Sequence, residues 1–548
     1  MDLIDTLEEK IKRMADDLQA VCASYGLANQ AAEELIITNL FLYKFLNDRC
    51  MTNLNRITAD KDDLILKMDC EWMECFCKRR PEELVLGYED TLQALLEHLM
   101  EDDFADRVQR ALVHISEAAK KKGWQIVSAG GSKDMLFDDI VAIIPKDQRN
   151  PFMRQVIETI SVETLDFDKI KASGYAFDGY SSIFEHLIGK YNVASGVYAE
   201  YYTPHAEAKM ISRCLAGMGT VSKEVEIYDP AAGTGTLLLQ LANELQKRDV
   251  DLMIYAQDIS VKSSRMLRMN MIFNGMMGYL KLVVQADTLL NPGFYEKEAD
   301  GSGDLKQFDY IVANPPFKID FSSVRDRISE QWSETERFFA GIPKVPEKKK
   351  SGMAAYVMFL QHVLYSLKPD GKAAVVVPSG FLTAKMGIEK RIRENLIDQK
   401  LLSGAILMPS YLFSNTGTNI AVIFIDKSQE SHAAVLIDAS GMGEMIKVSG
   451  HKRRILSDQE ENAIVEAFTL KKQVKDFSVV VSYQEVSENA YIFSAGRYFD
   501  WQAESNQMDY EALLDKIHGH QKRLETLFLE GHQLENDIKR LFKELRDE

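Results

Sequence analysis

From about residue 224 to residue 425 the chain repeats one pattern: a short apolar run, a loop, then apolar residues at helical spacing. The runs cover 225–228, 252–256, 280–284, 310–313, 373–377, 405–407 and 420–425. Helical spacing falls between them, at 237–245, around Met266, Met269, Asn270 and Ile272, at 355–367 and at 389–396. Strands alternating with helices predict an α/β fold, with a mostly parallel sheet covered by helices on both faces. In open sheets of this kind ligands bind at the carboxyl edge of the strands. The residues that follow each run are therefore where chemistry is expected.

The run 310–313 passes straight into Asn314-Pro315-Pro316-Phe317. Two prolines stop the strand, fix φ and remove two donors. What remains is an Asn amide, carbonyls without competing ladder bonds and an aromatic ring. That set can hold a planar amide-like nitrogen, whether an adenine amino group or a glutamine side-chain amide. The first run ends in Asp229-Pro230-Ala231-Ala232-Gly233-Thr234-Gly235-Thr236 and a helix start, a turn whose glycines admit close backbone approach to a ligand. Leu238 stands where a GxGxxG dinucleotide fingerprint needs its third Gly, and no GxxxxGK[ST] occurs. Asp258 ends the second run, placed to accept ribose hydroxyls. Asp287 follows the third and could accept from a purine amino group. Upstream, Glu200-Tyr201-Tyr202-Thr203-Pro204-His205 opens a helix, with Thr203 expected as its cap and Pro204 in its first turn.

Outside this region the sequence suggests packing and docking. Residues 1–50 carry Leu7, Ile11, Met14 and Leu18 at helical spacing. A second helical set covers 88–122, broken near Glu101-Asp102-Asp103, where Asp102 or Asp103 could cap the second half. Gly130-Gly131-Ser132-Lys133 reads as a loop, and 151–195 as mainly helical, with an apolar face of Ile183, Phe184, Leu187 and Ile188. Cys70, Cys75 and Cys77 lack the spacing and fourth ligand of a zinc site and read as reduced thiols. Near the C-terminus Leu513, Ile517, Leu524, Leu527, Leu534, Ile538, Leu541 and Leu545 share one heptad register, interrupted at His520 and Gly531, as suits a helical partner. No apolar stretch is long enough to span a membrane, and the acidic start is no signal peptide, so a cytoplasmic location is expected. The formal charge of −18 implies that any nucleic acid is gripped through a partner or a local basic patch.

Taken in order, these motifs resemble the modification (methylation) subunit of type I restriction–modification systems. The resemblance runs from roughly Ser181 to Ile425 and includes Gln361-His362 and Pro378-Ser379-Gly380. It departs from the family at Tyr201, commonly Phe, and at Asp258, commonly Glu. It implies a Rossmann-like methyltransferase sheet and the cofactor S-adenosyl-L-methionine. The reaction implied is site-specific methylation of adenine N6 in double-stranded DNA, the adenine flipped out. Tyr202, Thr203 and Pro204 would meet the methionine end of the cofactor, with Asp229, Ala231, Gly233, Thr234 and Gly235 shaping its pocket. Asp258 would hold the ribose and Asp287 the cofactor's adenine. Asn314 and the Pro315 carbonyl, with Pro316 and Phe317, would take the target base. No metal is called for. The expected organisation is a helical domain over 1–150, a catalytic domain over 151–480 and a helical docking tail over 481–548. The implied partners are a specificity subunit, a second copy of the chain and, optionally, a restriction subunit. RNA or a protein glutamine as substrate, or a non-catalytic adaptor, are the alternatives.

Overall fold

The computed structural model describes residues 3–28, 30–55, 83–128, 135–165, 203–219, 222–296, 303–412, 419–428, 433–448, 451–499 and 510–547. The Cys70–Cys77 cluster, Gly130–Lys133, the helix expected within 181–191 and Glu200 to Tyr202 lie outside the described residues.

The strand-and-helix alternation builds a ten-stranded sheet. Its strands are β1 (Val127–Ser128), β2 (Glu224–Asp229), β3 (Asp251–Asp258), β4 (Val283–Gln285), β5 (Phe308–Ala313), β6 (Leu367–Pro378), β7 (Leu402–Leu407), β8 (Ile420–Asp426), β9 (Ala433–Asp438) and, after a separate hairpin of β10 (Glu444–Val448) and β11 (His451–Ile455), β12 (Ser478–Ser482). The spatial order is β1-β4-β3-β2-β5-β6-β8-β7-β9-β12. The run from β1 to β6 is parallel throughout; β8 is antiparallel to both neighbours, and β12 to β9. After β2 the chain moves outward to β3 and β4, then returns to lay β5 on the other side of β2. A crevice opens where the order reverses, at the carboxyl ends of β2 and β5. Asp229 and Asn314 stand there.

Burial explains why these runs become strands. Ile227, Ile254, Ile311, Val312, Val375 and Val377 are fully buried, with helices on either side, such as Thr236–Gln246, Val261–Phe273 and Tyr356–Ser366. Two expectations need correction. The run 280–284 is mostly a 3₁₀ turn, Met277–Leu282, with only Val283–Gln285 in the ladder. Leu280 is buried all the same, so the apolar signal came from packing rather than pairing. Nor does 420–425 end the sheet, because β9 and β12 extend it beyond β7.

The N-terminal region shares this core. Helix Leu3–Ser24 buries Ile11, Met14 and Leu18, and helix Gln30–Asn55 sets Phe45 against Phe273, with ring centroids 4.6 Å apart. The break near 101–103 is real, separating helices Leu92–Glu97 and Phe104–Lys121. Asp103 occupies the cap position, yet its carboxylate makes no cap bond; it pairs with Arg110 at 2.9 Å. The chain divides into two compact units, Met1–Arg497 and Tyr498–Glu548. The second is one helix, Tyr510–Asp547, on which Ile517, Leu524, Leu527, Leu534 and Ile538 are exposed. Among the described residues no helix is long and apolar enough to cross a membrane.

Candidate active site

At the crevice lies a cavity of about 320 Å³, within the range of small-ligand sites. Ala231, Gly233, Thr234, Asp258, Asp287, Asn314 and Pro316 all line it, so residues from four separate strand ends meet around one space. Ile319, Phe321, Ile328 and Phe359 supply an apolar wall that no motif announced.

The turn after β2 is rigid for identifiable reasons. Asp229 Oδ1 accepts from the Ala231 N–H at 2.9 Å, and Ala232 N–H donates to the Gln257 carbonyl at 3.0 Å. Gly233 takes a positive φ of 53° and donates its N–H to Asp258 Oδ2 at 2.8 Å. Gly235 does not line the cavity. It is left-handed at the helix cap, and a Cβ there would collide with Leu267 Cδ1. Glycine at 235 thus serves helix packing, whereas Gly233 serves the cavity.

The carboxylates do two jobs. Asp258 also accepts from the Ser260 N–H at 2.8 Å, and Asp287 Oδ1 from the Leu289 and Leu290 N–H groups, so both cap loops while lining the cavity. Burial pushes the Asp229 carboxyl up to about 8; the Ala231 N–H opposes the shift and the nearby Asp258 adds to it. Asp258 is raised as well, chiefly by burial, against the pull of the Ser260 and Gly233 N–H groups. Asp258 and Asp287 on the lining suit a ligand with hydroxyl or amino donors, with Asp229 buried beside the turn rather than on the cavity surface.

At the end of β5, Asn314 is only 8% exposed, and its Nδ2 donates to Thr203 Oγ1 at 3.0 Å. This corrects the expectation that Thr203 caps the following helix. Helix His205–Ala216 has Pro204 at its cap, with no side-chain cap bond, and the Thr203 hydroxyl turns to Asn314 instead. With Nδ2 so held, the Asn314 Oδ1 is the amide atom left to accept from a ligand. Phe317 is half-buried and meets Tyr356 edge-on at 6.3 Å.

Sequence reasoning missed Arg337. It is fully buried and donates to the Thr288 carbonyl at 2.8 Å, the Leu289 carbonyl at 3.0 Å and His362 Nδ1 at 3.2 Å. Its guanidinium lies 4.3 Å from the Trp332 ring centroid. Burial and the neighbouring Arg337 charge hold His362 well below its usual range, so it is neutral and its Nδ1 accepts. Thr288 in turn donates to the Pro230 carbonyl at 2.6 Å, which closes the link between the turn after β2 and the loop after β4. The clue in sequence was an arginine flanked by aromatics, with no periodicity to expose it.

A profile of the family described as N-6 DNA Methylase matches residues 176–507. The chain belongs to that family. Curated relatives are similar over most of the same length. The MpnII type I restriction enzyme methylase subunit of Mycoplasma pneumoniae is 29% identical over 371 residues, covering 67% of this chain and 65% of the relative. The MjaIX methylase subunit of Methanocaldococcus jannaschii is 27% identical, covering 67% and 63%. The chain thus spans a little under two thirds of the length of both relatives. Among solved structures, the type I restriction–modification methyltransferase subunit from Streptococcus thermophilus superposes with a TM-score of 0.69 at 22% identity. It covers 91% of this chain and 100% of its own. At that identity the likeness shows the fold, which is the methyltransferase sheet expected of an N-6 DNA methylase.

Proposed function

We propose that the chain transfers a methyl group from S-adenosyl-L-methionine to the N6 amine of adenine in DNA, as the methylation subunit of a type I restriction–modification complex. One observation carries this reading: Asn314 and Pro316 line the same cavity as Asp258 and Asp287. A target nitrogen and a nucleoside-bearing cofactor would share that space.

The residues present fit the cofactor. Asp258 would hold the ribose hydroxyls and Asp287 the cofactor's adenine amine, while the turn Asp229 to Gly235, with Thr203 and Pro204 and the preceding Tyr202 of the motif, would hold the methionine end. Buried carboxylates suit the positive sulfonium, which makes the methyl group electrophilic when the cofactor is bound. The chain's own part is alignment. An aromatic amine is a poor nucleophile because its lone pair is delocalised; acceptors at Asn314 Oδ1 and the Pro315 carbonyl favour a more tetrahedral, electron-rich nitrogen. The target base must leave the duplex, and stacking on Phe317 would return about 1–3 kcal/mol of that cost. The exposed apolar stripe of Tyr510–Asp547 would dock on a helical specificity subunit that reads the sequence.

Sequencing that detects N6-methyladenine, in hosts with and without the gene, tests this reading. Loss of the mark at a two-part motif is expected, with Asn314→Ala behaving as the deletion. An unchanged adenine pattern, together with label transfer from the cofactor to RNA or protein, would overturn it.

A further inference from the structure

We propose that the rim beside Phe317, made by Lys318, Lys348, Lys349 and Lys350, grips the phosphates flanking the base that enters the site. The proposal rests on the methyltransferase reading above and adds to it the surface that holds DNA.

The placement follows from the backbone. After Phe317 the chain makes a long excursion and comes back to where it left. Lys318 bridges Ala354, the Ile319 N–H donates to the Met353 carbonyl at 3.2 Å, and the Ala355 N–H donates to the Phe317 carbonyl at 3.1 Å. Lys348, Lys349 and Lys350 immediately precede this closure. The Gly352 N–H donates to the Lys349 carbonyl at 2.8 Å, and the Met353 N–H to the Lys350 carbonyl at 3.2 Å. Both ends of the excursion are therefore fixed to the strand end that carries Asn314.

Three features separate this rim from an ordinary solvated face. First, Lys348, Lys349 and Lys350 are exposed, and among the described residues none of the four lysines has a carboxylate within ion-pair distance. The acids closest in sequence are Asp320 and Glu347. Asp320 accepts from the Ser322 N–H and hydroxyl at 2.9 and 2.6 Å and also feels the charge of Lys350, though not at ion-pair distance. Second, the positive excess stands out on a chain of formal charge −18, whose surface would otherwise repel DNA. Third, the run sits in a tight turn tied back to the strand end: Lys349 is left-handed at φ 59°, as Lys400 and Lys471 also are, and its carbonyl accepts from the Gly352 N–H. The turn thus keeps three consecutive exposed lysines next to the strand end. Another run of three, Lys120-Lys121-Lys122, ends helix Phe104–Lys121, where cations meet the helix carbonyls and need no further role.

That second run supplies the control. Binding of the full-length chain to a fluorescently labelled duplex is followed by anisotropy from low to physiological salt, for wild type, K348Q/K349Q/K350Q and K120Q/K121Q/K122Q. In the rim variant the slope of log affinity against log salt should fall by about 2–3, at ~0.9 for each phosphate no longer neutralised. Affinity at intermediate salt should drop at least tenfold, with cofactor binding unchanged. The helix-end variant should stay close to wild type. Equal behaviour of the two variants overturns the proposal, as does a wild-type chain that fails to bind duplex at low salt. Methyl transfer is read separately. Transfer to DNA that persists with an unaltered salt slope sinks the rim alone; rim-dependent binding without transfer to DNA when the specificity subunit is present sinks the catalytic reading alone.

Discussion

Asn314 is held by a neighbour whose role the motif did not reveal. Its Nδ2 is tied to the Thr203 hydroxyl, so the amide is held with Oδ1 free to accept. Thr203→Val should lower kcat by about 10- to 100-fold, the cost of loosening one buried hydrogen-bonded partner. Thr203→Ser should restore most of it. A loss confined to cofactor affinity would remove Asn314 from the explanation. Asp229 makes a prediction about pH. Its carboxyl titrates at about 8 in the folded chain, above the ordinary carboxylate value of 3.8. The fold therefore holds a proton that the unfolded chain releases. Ligand-free stability from this group is full below the ordinary value and falls as pH rises through about 8. Thermal melts across that window should show Tm declining with pH, and Asp229→Asn should flatten the decline. A cationic cofactor favours the ionised form, so its binding should release protons near neutral pH, measurable by calorimetry in buffers of different ionisation enthalpy.

Among the elements, the strands at the centre are legible because each is a continuous apolar run closed by Asp, Gly or Pro. β2, β3, β5, β6 and β8 all carry that mark, and the cavity is lined by residues that follow the mark in β2, β3 and β5. β9 carries the same mark, an apolar run closed by Asp438, but no site motif follows it to draw attention; β12, Ser478–Ser482, is bounded by serines and lacks the mark. The 3₁₀ turn Met277–Leu282 reads as strand in sequence because periodicity reports burial, not pairing. Arg337 is illegible for a different reason. Its partners are carbonyls 48 and 49 positions away, which no local pattern encodes. Replacing it with Met would orphan the Thr288 and Leu289 carbonyls and slacken the wall beside Asp287. Denaturant unfolding should show a loss of about 2–4 kcal/mol, accompanied by weaker cofactor binding. Unchanged stability would mean that the loop is held some other way.

The N-terminal region and the sheet are one structure. β1 adds an edge strand beside β4, Lys262 pairs with Glu34 at 2.7 Å and Arg265 with Asp138 at 2.9 Å. Ser260, Lys262 and Met266 line both the cofactor-sized cavity and a neighbouring space of about 530 Å³ against helix Gln30–Asn55. A chain shortened to residues 151–548 would uncover the edge of β4 and the apolar face around Phe273. It should elute as aggregate in size-exclusion chromatography, where the full chain does not. A monodisperse, cofactor-binding fragment would show that the N-terminal helices are dispensable to the fold. The rung between Lys318 and Ala354 has a bearing on how such a chain changes over generations. Most of that excursion is committed, because it carries Phe321 and Ile328 to the cavity wall and includes the buried Arg337; the exposed turn at Lys348 to Lys350 is the stretch whose charge can change while the strand end that bears Asn314 stays where it is.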